Sequence, residues 1–124
     1  MQIRVYYEDT DAGGVVYHAN YLKYCERARS EAFYEKGLSP VLAEGHFVAR
    51  KLMADYIVSA KLGDMLEVQN TLVSMKGASF VVKQQIYKES IKIFELEVVL
   101  AYISFDGKPK KLDAKVKEML VSLF

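Results

Sequence analysis

Alternating apolar and polar side chains predict five β-strands in this chain of 124 residues. At the start, Ile3, Val5 and Tyr7 alternate with Arg4 and Tyr6, as expected where successive side chains point to opposite faces of a strand. The second segment has apolar residues at both odd and even positions, which indicates that this strand is covered on both faces. The predicted strands span residues 2–7, 47–60, 65–75, 79–87 and 91–105.

A helical pattern separates the first strand from the other four. It covers residues 18–36 and stops at Gly37, a residue typical of the position just after a helix. Three of its four inward positions carry small side chains, so a sheet can pack closely against it. These inward positions are Tyr21, Cys25, Ala28 and Ala32. Further on, Ser39 and Pro40 predict one short helical turn that ends near Gly45.

The connections between the strands define the fold class. Short turns at residues 62–64, 76–78 and 88–90 join consecutive strands, which predicts antiparallel pairing. Asp113 is a suitable cap for a short C-terminal helix. One long helix against one antiparallel sheet is an α+β layer architecture. No repeat or linker divides the chain, so we expect a single domain over residues 1–124.

Composition narrows the range of functions. The net charge of +1 gives no electrostatic reason to expect binding to nucleic acid or to a membrane surface. The single cysteine, Cys25, excludes an internal disulfide, and His18 and His46 are too few for a convincing metal cluster. No apolar run reaches the length of a membrane span, and residues 1–6 are typical of a strand rather than a signal peptide. We therefore expect a cytoplasmic protein without a bound metal.

The loop before the long helix concentrates the reactive side chains. It contains Asp9 and Asp11, the pair Gly13–Gly14, and His18 at the start of the helix. Glycine adopts backbone angles closed to other residues and lets a ligand approach the main chain. The first N–H groups of a helix have no intrahelical partners and carry the positive end of its dipole. This arrangement predicts a place where a carbonyl oxygen is polarised and its carbon is attacked.

The same residues also have a purely structural interpretation. Aspartate commonly accepts a hydrogen bond from the main chain two residues further on, in an Asx turn. On this interpretation, Asp9 and Asp11 would only fix the shape of the loop. We expect that role for Asp9, whereas the loop alone leaves both roles open for Asp11.

The loop and helix start form a longer pattern, in which an acidic residue is followed by glycine, a valine pair, an aromatic residue, histidine and tyrosine. Its positions in this chain are Asp11, Gly14, Val15, Val16, Tyr17, His18 and Tyr21. Together with the helix segment Tyr24–Arg29 and the order of elements, this pattern resembles the hotdog-fold acyl-CoA thioesterases. Within them it is most similar to the YbgC-like branch, which includes 4-hydroxybenzoyl-CoA thioesterase. The resemblance covers nearly the whole chain, and Ala12 stands where a proline is common in the family.

The resemblance implies a fold, an assembly and a set of site residues. The fold is a five-stranded sheet wrapped around the long helix, and the assembly is a dimer or a tetramer with active sites at the subunit boundary. Asp11 is implied as nucleophile or general base, and the main-chain N–H of His18 as the donor that polarises the carbonyl. The implied substrate contacts are Gly14, Val15, Tyr17 and Tyr21. The substrate is an acyl-CoA, or a thioester of acyl carrier protein, and no separate cofactor is implied because coenzyme A is part of the substrate.

The residue types suit this chemistry by themselves. A carboxylate can attack a thioester or activate water, and a helix N–H can stabilise the oxyanion. The imidazole of His18 would position Asp11 or the substrate, or only cap the helix. Glu26 and Glu31 compete with Asp11, because other hotdog branches place their catalytic carboxylate on the helix. Cys25 lies among small inward residues, which indicates a core residue rather than a nucleophile.

Coenzyme A carries phosphates, so basic residues near the mouth of the site would help to bind it. The candidates are Arg50, Lys51, Lys76, Lys108, Lys110 and Lys111. Any one of them could equally belong to a solvated surface.

Two other functions stay open at this point. One is a hotdog dehydratase for hydroxyacyl thioesters, which would depend on a histidine with a helix carboxylate and much less on Asp11. The other is a non-catalytic module that binds acyl-CoA or acyl carrier protein.

Overall fold

The computed structural model describes residues 1–124 and contains two α-helices, five strands and one 3₁₀ turn. The helices are α1 (His18–Tyr34) and α2 (Ala114–Leu123). The strands are β1 (Gln2–Arg4), β2 (His46–Tyr56), β3 (Met65–Lys76), β4 (Ser79–Lys88) and β5 (Ile91–Ile103). Neither helix combines the length and apolar character needed to cross a membrane.

All five strands form one antiparallel sheet in the order β1–β3–β4–β5–β2. The turns at residues 76–78 and 88–90 join neighbouring strands, as the sequence predicted. The sheet curves around α1, and its polar outer face alternates with an apolar inner face along β4. The predicted α+β architecture is confirmed.

Strand β2 lies at the edge of the sheet beside β5, not beside β3. The prediction that residues 62–64 join two neighbouring strands is therefore wrong. Because β4 and β5 separate β2 from β3, residues 57–64 cross from one edge of the sheet towards the other. The crossing passes the start of α1, where the N–H of Val16 donates to the carbonyl of Ala60 at 2.9 Å. Long-range pairing decided this path, and no local turn signal reports it.

A bulge in β2 sets which of its side chains face the core. Its register with β5 slips between Ala49 and Lys51. Phe47 packs against the inner face before the bulge and Tyr56 packs against it after the bulge. Residues nine positions apart would point to opposite faces of a regular strand, so the extra residue brings both inward.

Most of β2 is exposed from Ala49 onwards, on both faces of the strand. The expectation that it is covered on both sides is therefore wrong within the single chain. Its outer edge has no neighbouring strand.

The core lies between α1 and the inner face of the sheet. Cys25 and Ala28 are 0% and 2% exposed, which confirms the close packing predicted from small side chains. Helix α2 closes the far end of this core with Leu120, and the ring of Phe124 lies 6.2 Å from that of Phe33 on α1.

Strand β1 ends at Arg4, three residues before its predicted end. Residues Tyr7–Asp9 form a 3₁₀ turn instead. The N–H of Asp9 donates to the carbonyl of Tyr6 at 3.0 Å, and the Asp9 carboxylate accepts from the N–H of Tyr6 at 2.9 Å. This double contact closes the turn and ends the extended conformation.

The helical turn predicted at Ser39–Pro40 does not form. The Ser39 hydroxyl oxygen accepts from the N–H of Val41 at 3.1 Å, and Leu42 N–H donates to the carbonyl of Gly45 at 2.8 Å. Val41 also pairs with His46 in an antiparallel bridge, so the segment turns back as a small hairpin and no helix follows Ser39.

The predicted end of β2 is also wrong by four residues. The N–H groups of Ile57 and Val58 both donate to the carbonyl of Ile93, at 2.9 and 3.1 Å. Two donors on one acceptor cannot continue a ladder, so the strand ends at Tyr56. The ends of α1 and β5 differ from prediction by two residues, which is the usual spread at element ends.

Candidate active site

The loop before α1 places Asp11 in a tight turn at the surface. Its Oδ1 accepts the N–H of Gly13 at 2.8 Å, while the N–H of Asp11 donates to the carbonyl of Val15 at 2.9 Å. Gly14 has φ +78°, a conformation that favours glycine, and a Cβ on Gly13 would lie only 3.2 Å from Oδ1 of Asp11. The Asx turn is thus real, but it uses one carboxylate oxygen and leaves Oδ2 without a partner in the chain.

Asp9 anchors the loop to the helix start. Its carbonyl accepts from the N–H of Tyr17 and from Nδ2 of Asn20, both at 2.9 Å. Its side chain is almost fully buried and lies near the hydroxyl of Tyr24. Burial, and then the Asp9 carboxylate, raise the pKa of Tyr24, so this phenol stays neutral. These contacts agree with the structural role predicted for Asp9.

Helix α1 begins at His18 with free main-chain donors. The N–H groups of His18 and Ala19 donate to no carbonyl or side chain, whereas that of Asn20 returns to Tyr17 at 2.8 Å. The imidazole of His18 is exposed and its ring lies 4.5 Å from the ring of Tyr17. Free donors at a helix start attract a partial negative charge on an oxygen.

The end of β2 and the crossing that follows it form the wall opposite the loop. The hydroxyl of Tyr56 donates to the carbonyl of His18 at 2.8 Å, and the N–H of Ala60 donates to the hydroxyl of Tyr21 at 3.0 Å. Burial raises the pKa of Tyr21, although the Ala60 N–H by itself lowers it. Both tyrosines are therefore neutral hydrogen-bonding groups that fix the wall to the helix.

These elements enclose a cleft of about 230 Å³, which we call the Asp11 cleft. Its lining residues are Asp11, Val15, Val16, His18, Tyr21, Tyr56, Ile57, Val58 and Ser59. Four of the six predicted site residues meet here.

The other two predicted site residues lie outside this lining. Gly14 lines a second, more open cleft on the other side of Asp11, which also contains Tyr7 and Leu62. Tyr17 lines neither cleft and contacts the site through the ring of His18. Asp11 thus stands between two surface clefts.

The sequence analysis missed the wall contributed by residues 56–59. Nothing in a strand pattern signals that its end will lie against a helix start distant in sequence. The only local indication is the apolar run at Tyr56, Ile57 and Val58, which continues past the end of the strand.

The competing carboxylates lie elsewhere. Glu26 and Glu31 are exposed on α1, and neither lines the Asp11 cleft. His46 stacks on Phe105, with ring centroids 5.7 Å apart, far along the chain from the loop. No group of three or more His, Cys, Asp or Glu side chains is placed to hold a metal ion.

None of the six basic residues considered for phosphate binding lines either cleft beside Asp11. Lys110 pairs with Glu44 at 3.4 Å and Lys108 with Asp106 at 3.9 Å. Lys61 is nearer to the site, since its backbone pairs with that of Val15.

Chemically, the Asp11 cleft is lined both by Asp11, which has a carboxylate oxygen without a partner in the chain, and by His18, which has a free main-chain N–H. A carbonyl compound bound there would meet an anionic nucleophile or base on one side and an oxyanion donor on the other. The remaining wall is apolar or bears neutral hydroxyl groups.

Comparison with known proteins identifies the family to which the chain belongs. A sequence model described as the thioesterase superfamily matches residues 13–94, which is more than half of the chain. The acyl-CoA thioesterase YbgC of Helicobacter pylori is 42% identical over 113 residues, spanning 84% of this chain and 85% of that protein. The acyl-CoA thioester hydrolase YbgC of Escherichia coli is 43% identical over 119 residues, spanning 92% and 89%.

Solved structures share the fold. The crystal structure of a probable thioesterase from Bartonella henselae has a TM-score of 0.85 and 32% identity, covering 91% of this chain and 97% of that one. A 4-hydroxybenzoyl-CoA thioesterase variant in complex with 4-hydroxybenzoyl-CoA has a TM-score of 0.87 over 96% of this chain. At 19% identity the latter likeness concerns the fold alone. The chain therefore belongs to the thioesterase superfamily, in the YbgC-like branch of the hotdog-fold proteins.

Proposed function

We propose that this protein hydrolyses acyl-CoA to a free acid and coenzyme A at the Asp11 cleft. Asp11 acts as nucleophile or general base, and the main-chain N–H of His18 donates to the carbonyl oxygen. The observation that carries the proposal is that one cleft is lined by Asp11, whose carboxylate has one free oxygen, and by His18, whose main-chain N–H at the helix start is unbonded. The names of relatives more than 40% identical support the same substrate class.

Two routes fit these groups. In the first, Asp11 attacks the thioester carbon, coenzyme A leaves as a thiolate, and water hydrolyses the resulting mixed anhydride. In the second, Asp11 takes a proton from water, which attacks the same carbon and displaces the thiolate. In both, negative charge develops on the carbonyl oxygen, where the His18 N–H stabilises it.

A single turnover in ¹⁸O-labelled water tests the nucleophilic route. If water attacks the aspartyl carbonyl of the anhydride, the label is found in the Asp11 carboxylate, whereas the general-base route labels only the product. Mass spectrometry of the peptide containing Asp11 detects the label. Label in that peptide identifies the nucleophilic route, and its absence excludes attack of water on the aspartyl carbonyl.

The dehydratase alternative is disfavoured by the position of the helix carboxylates. That chemistry would place a carboxylate of α1 beside the histidine, but Glu26 and Glu31 lie outside the cleft that contains His18. A thiol-release assay with acyl-CoA thioesters of increasing chain length tests hydrolysis directly. Absence of thiol release with every thioester would leave a binding module as the better description.

We further propose that two chains pair along β2. This strand has eleven residues, an open edge and exposed apolar side chains such as Met53, which is 62% exposed. An open apolar edge of this length is normally covered. Ile57 and Val58 follow this edge and also line the Asp11 cleft, so a second copy would complete the site.

Light scattering at micromolar concentration tests the assembly, with a dimer or a dimer of dimers expected. A monomer at that concentration would contradict it.

Fractionation of cells tests the predicted cytoplasmic location. Parallel rates with acyl-CoA and with acyl carrier protein thioesters identify the preferred carrier.

A further inference from the structure

A second cavity, which we call the Arg29 cavity, lies further along α1 and has a volume of about 250 Å³. Its walls are largely aromatic and aliphatic and come from α1, the loop at residues 40–41, the start of β2, the middle of the sheet and Phe124, which follows α2. The side chains used below are Arg29, Ser30, Phe33, Phe47 and Phe80, with Glu26 at the rim.

Arg29 is a charged group in this apolar setting with little inside the chain to satisfy it. Its Nη1 donates to Oε1 of Gln84 at 2.7 Å, and this is its only hydrogen bond. No carboxylate lies within 4.0 Å of it. A guanidinium has five N–H donors in a planar fork, so most of them remain available to a ligand.

The bond to Gln84 holds the guanidinium in place. Gln84 is 0% exposed, and its Nε2 donates to the carbonyl of Cys25 at 2.8 Å and to Oδ1 of Asn70 at 2.7 Å. Asn70 in turn donates to the carbonyl of Ala28 at 3.2 Å. The amide of Gln84 cannot turn without breaking these contacts, so Arg29 is oriented before any ligand binds. Burial lowers the pKa of Arg29, as expected for a cation without an anionic partner.

The Arg29 cavity and the Asp11 cleft lie along the same face of α1. His18, Leu22, Arg29 and Phe33 are separated by four, seven and four residues, spacings that place them on one side of a helix. At about 1.5 Å of rise per residue, Arg29 lies about 16 Å along the axis from His18. Strand β2 follows the same course, because Phe47 lines the cavity and Tyr56 lines the cleft.

The only carboxylate that lines the cavity is Glu26, which is exposed at its rim. Solvent screens an exposed charge, whereas Arg29 is partly withdrawn from water. A ligand oxygen that reaches the interior is therefore attracted by the guanidinium more strongly than it is repelled by the carboxylate of Glu26.

We propose that the Arg29 cavity receives the far end of the acyl group and that Arg29 selects acyl groups carrying an oxygen acceptor there. The proposal rests on the proposed thioesterase function. An acyl chain whose carbonyl lies at Asp11 runs along α1, and a hydroxyl or carboxylate oxygen at its end accepts the free N–H groups of Arg29. The aromatic walls bury the methylene groups between the two ends.

The test uses coenzyme A thioesters of unbranched acids over a range of chain lengths, each in unsubstituted, terminal-hydroxyl and terminal-carboxyl form. At the length that reaches Arg29, we expect the oxygenated forms to exceed the unsubstituted form in kcat/KM by about tenfold or more. The hydroxyl and carboxyl arms show whether a neutral or an anionic acceptor is preferred. Equal kcat/KM for the three forms at every length would overturn the proposal.

Arg29→Met keeps an unbranched, flexible side chain and removes its donors. We expect it to abolish the preference, so that within this variant the oxygenated and unsubstituted forms of one length have equal kcat/KM. The matched control is Arg27→Met, because Arg27 is an exposed arginine on the same helix that does not line the cavity. If Arg29→Met still prefers the oxygenated acyl groups, Arg29 is not the residue that selects them.

If Arg29→Met does not fold, Ser30→Leu provides a second route. Ser30 lines the cavity and makes no hydrogen bond through its side chain, so a larger residue there narrows the space. We expect the loss of kcat/KM to be about tenfold greater for long acyl chains than for acetyl-CoA. An equal effect on short and long chains would contradict this placement of the acyl group.

Failure of this proposal can be told apart from failure of the thioesterase function. If the wild-type protein hydrolyses no thioester, binding of non-hydrolysable thioether analogues is measured by calorimetry instead. Tighter binding of the oxygenated analogue, lost in Arg29→Met, would still support the role of Arg29. Equal binding of the two analogues would overturn it.

Discussion

Polar side chains lie near both the start and the middle of α1, but those at the start are exposed to solvent and those at the middle are buried. At the start, Asp11 and His18 are exposed, and the loop around them is held by hydrogen bonds between main-chain atoms. In the middle, Cys25 and Gln84 are 0% exposed and lie against the inner face of the sheet. Both regions contain potentially reactive or hydrogen-bonding side chains within one helix and its neighbours.

The two regions differ in how many hydrogen-bonding positions of each polar group remain unused. A buried polar group is costly unless its hydrogen bonds are made, so the amide of Gln84 has all its bonds inside the protein. The exposed Asp11 uses one oxygen for the turn and keeps the other free. Capacity for chemistry therefore follows from the unused lone pair and the unused N–H, rather than from residue type. The four experiments below test this contrast.

The largest effect is expected from Asp11→Asn. The amide keeps an oxygen for the Gly13 N–H, so the turn should form, but it is a poor nucleophile and a poor base. We expect acyl-CoA hydrolysis to fall by about a hundredfold or more, with unchanged circular dichroism. Asp106→Asn is the control, because Asp106 is an exposed aspartate outside both clefts. Wild-type turnover in Asp11→Asn would refute the catalytic role of Asp11, and Glu26 and Glu31 would be tested next.

His18 allows the side chain and the main chain to be tested separately. His18→Ala keeps the N–H and loses the imidazole, so we expect kcat to fall by about tenfold to a hundredfold. His18→Pro removes the N–H as well and should lose more activity. Its folding must be checked by circular dichroism.

Equal activity of folded His18→Pro and His18→Ala would refute the main-chain donor. If His18→Ala is as inactive as Asp11→Asn, the imidazole takes part in the chemistry. Loss of one limb of the pH–rate profile in that variant would support a His18–Asp11 pair.

Gln84→Leu tests the buried end of the comparison. It removes the partner of Arg29, the donor to Oδ1 of Asn70 and the second donor to the Cys25 carbonyl, which keeps its bond within the helix. We expect the free energy of unfolding in urea to fall by about 1–3 kcal/mol. Gln85→Leu is the matched control, since its amide bonds to Glu95 and is partly exposed, and we expect a change below about 1 kcal/mol. Equal changes would show that the buried network adds no stability.

The smallest effect is expected at Cys25. Burial raises the pKa of its thiol to about 12, so almost no thiolate exists at neutral pH. We expect the native protein to resist iodoacetamide at pH 8 and to react fully in urea, and Cys25→Ala to keep near wild-type kcat. Rapid alkylation with loss of activity would show that the thiol is accessible.

Local sequence determined most of the elements and the identity of the reactive loop. Periodicity in the apolar residues located α1 and the strands to within a few residues, because burial of one face requires it. Gly14 with its positive φ and the Asp11 turn are local features, so the spacing of the loop residues was enough to identify them. The small residues at Cys25 and Ala28 likewise indicated close packing before any partner strand was known.

The tertiary structure alone decided what lies opposite the loop. Strand β2 pairs with β5 at the sheet edge, and a bulge turns Tyr56 inward, so residues 56–59 become the second wall of the Asp11 cleft. Arg29 has an ordinary place in the helical pattern, and only Gln84, 55 residues away in sequence, holds it towards a cavity. Pairing between distant segments depends on the total burial of the sheet and helix, which no short window of sequence contains.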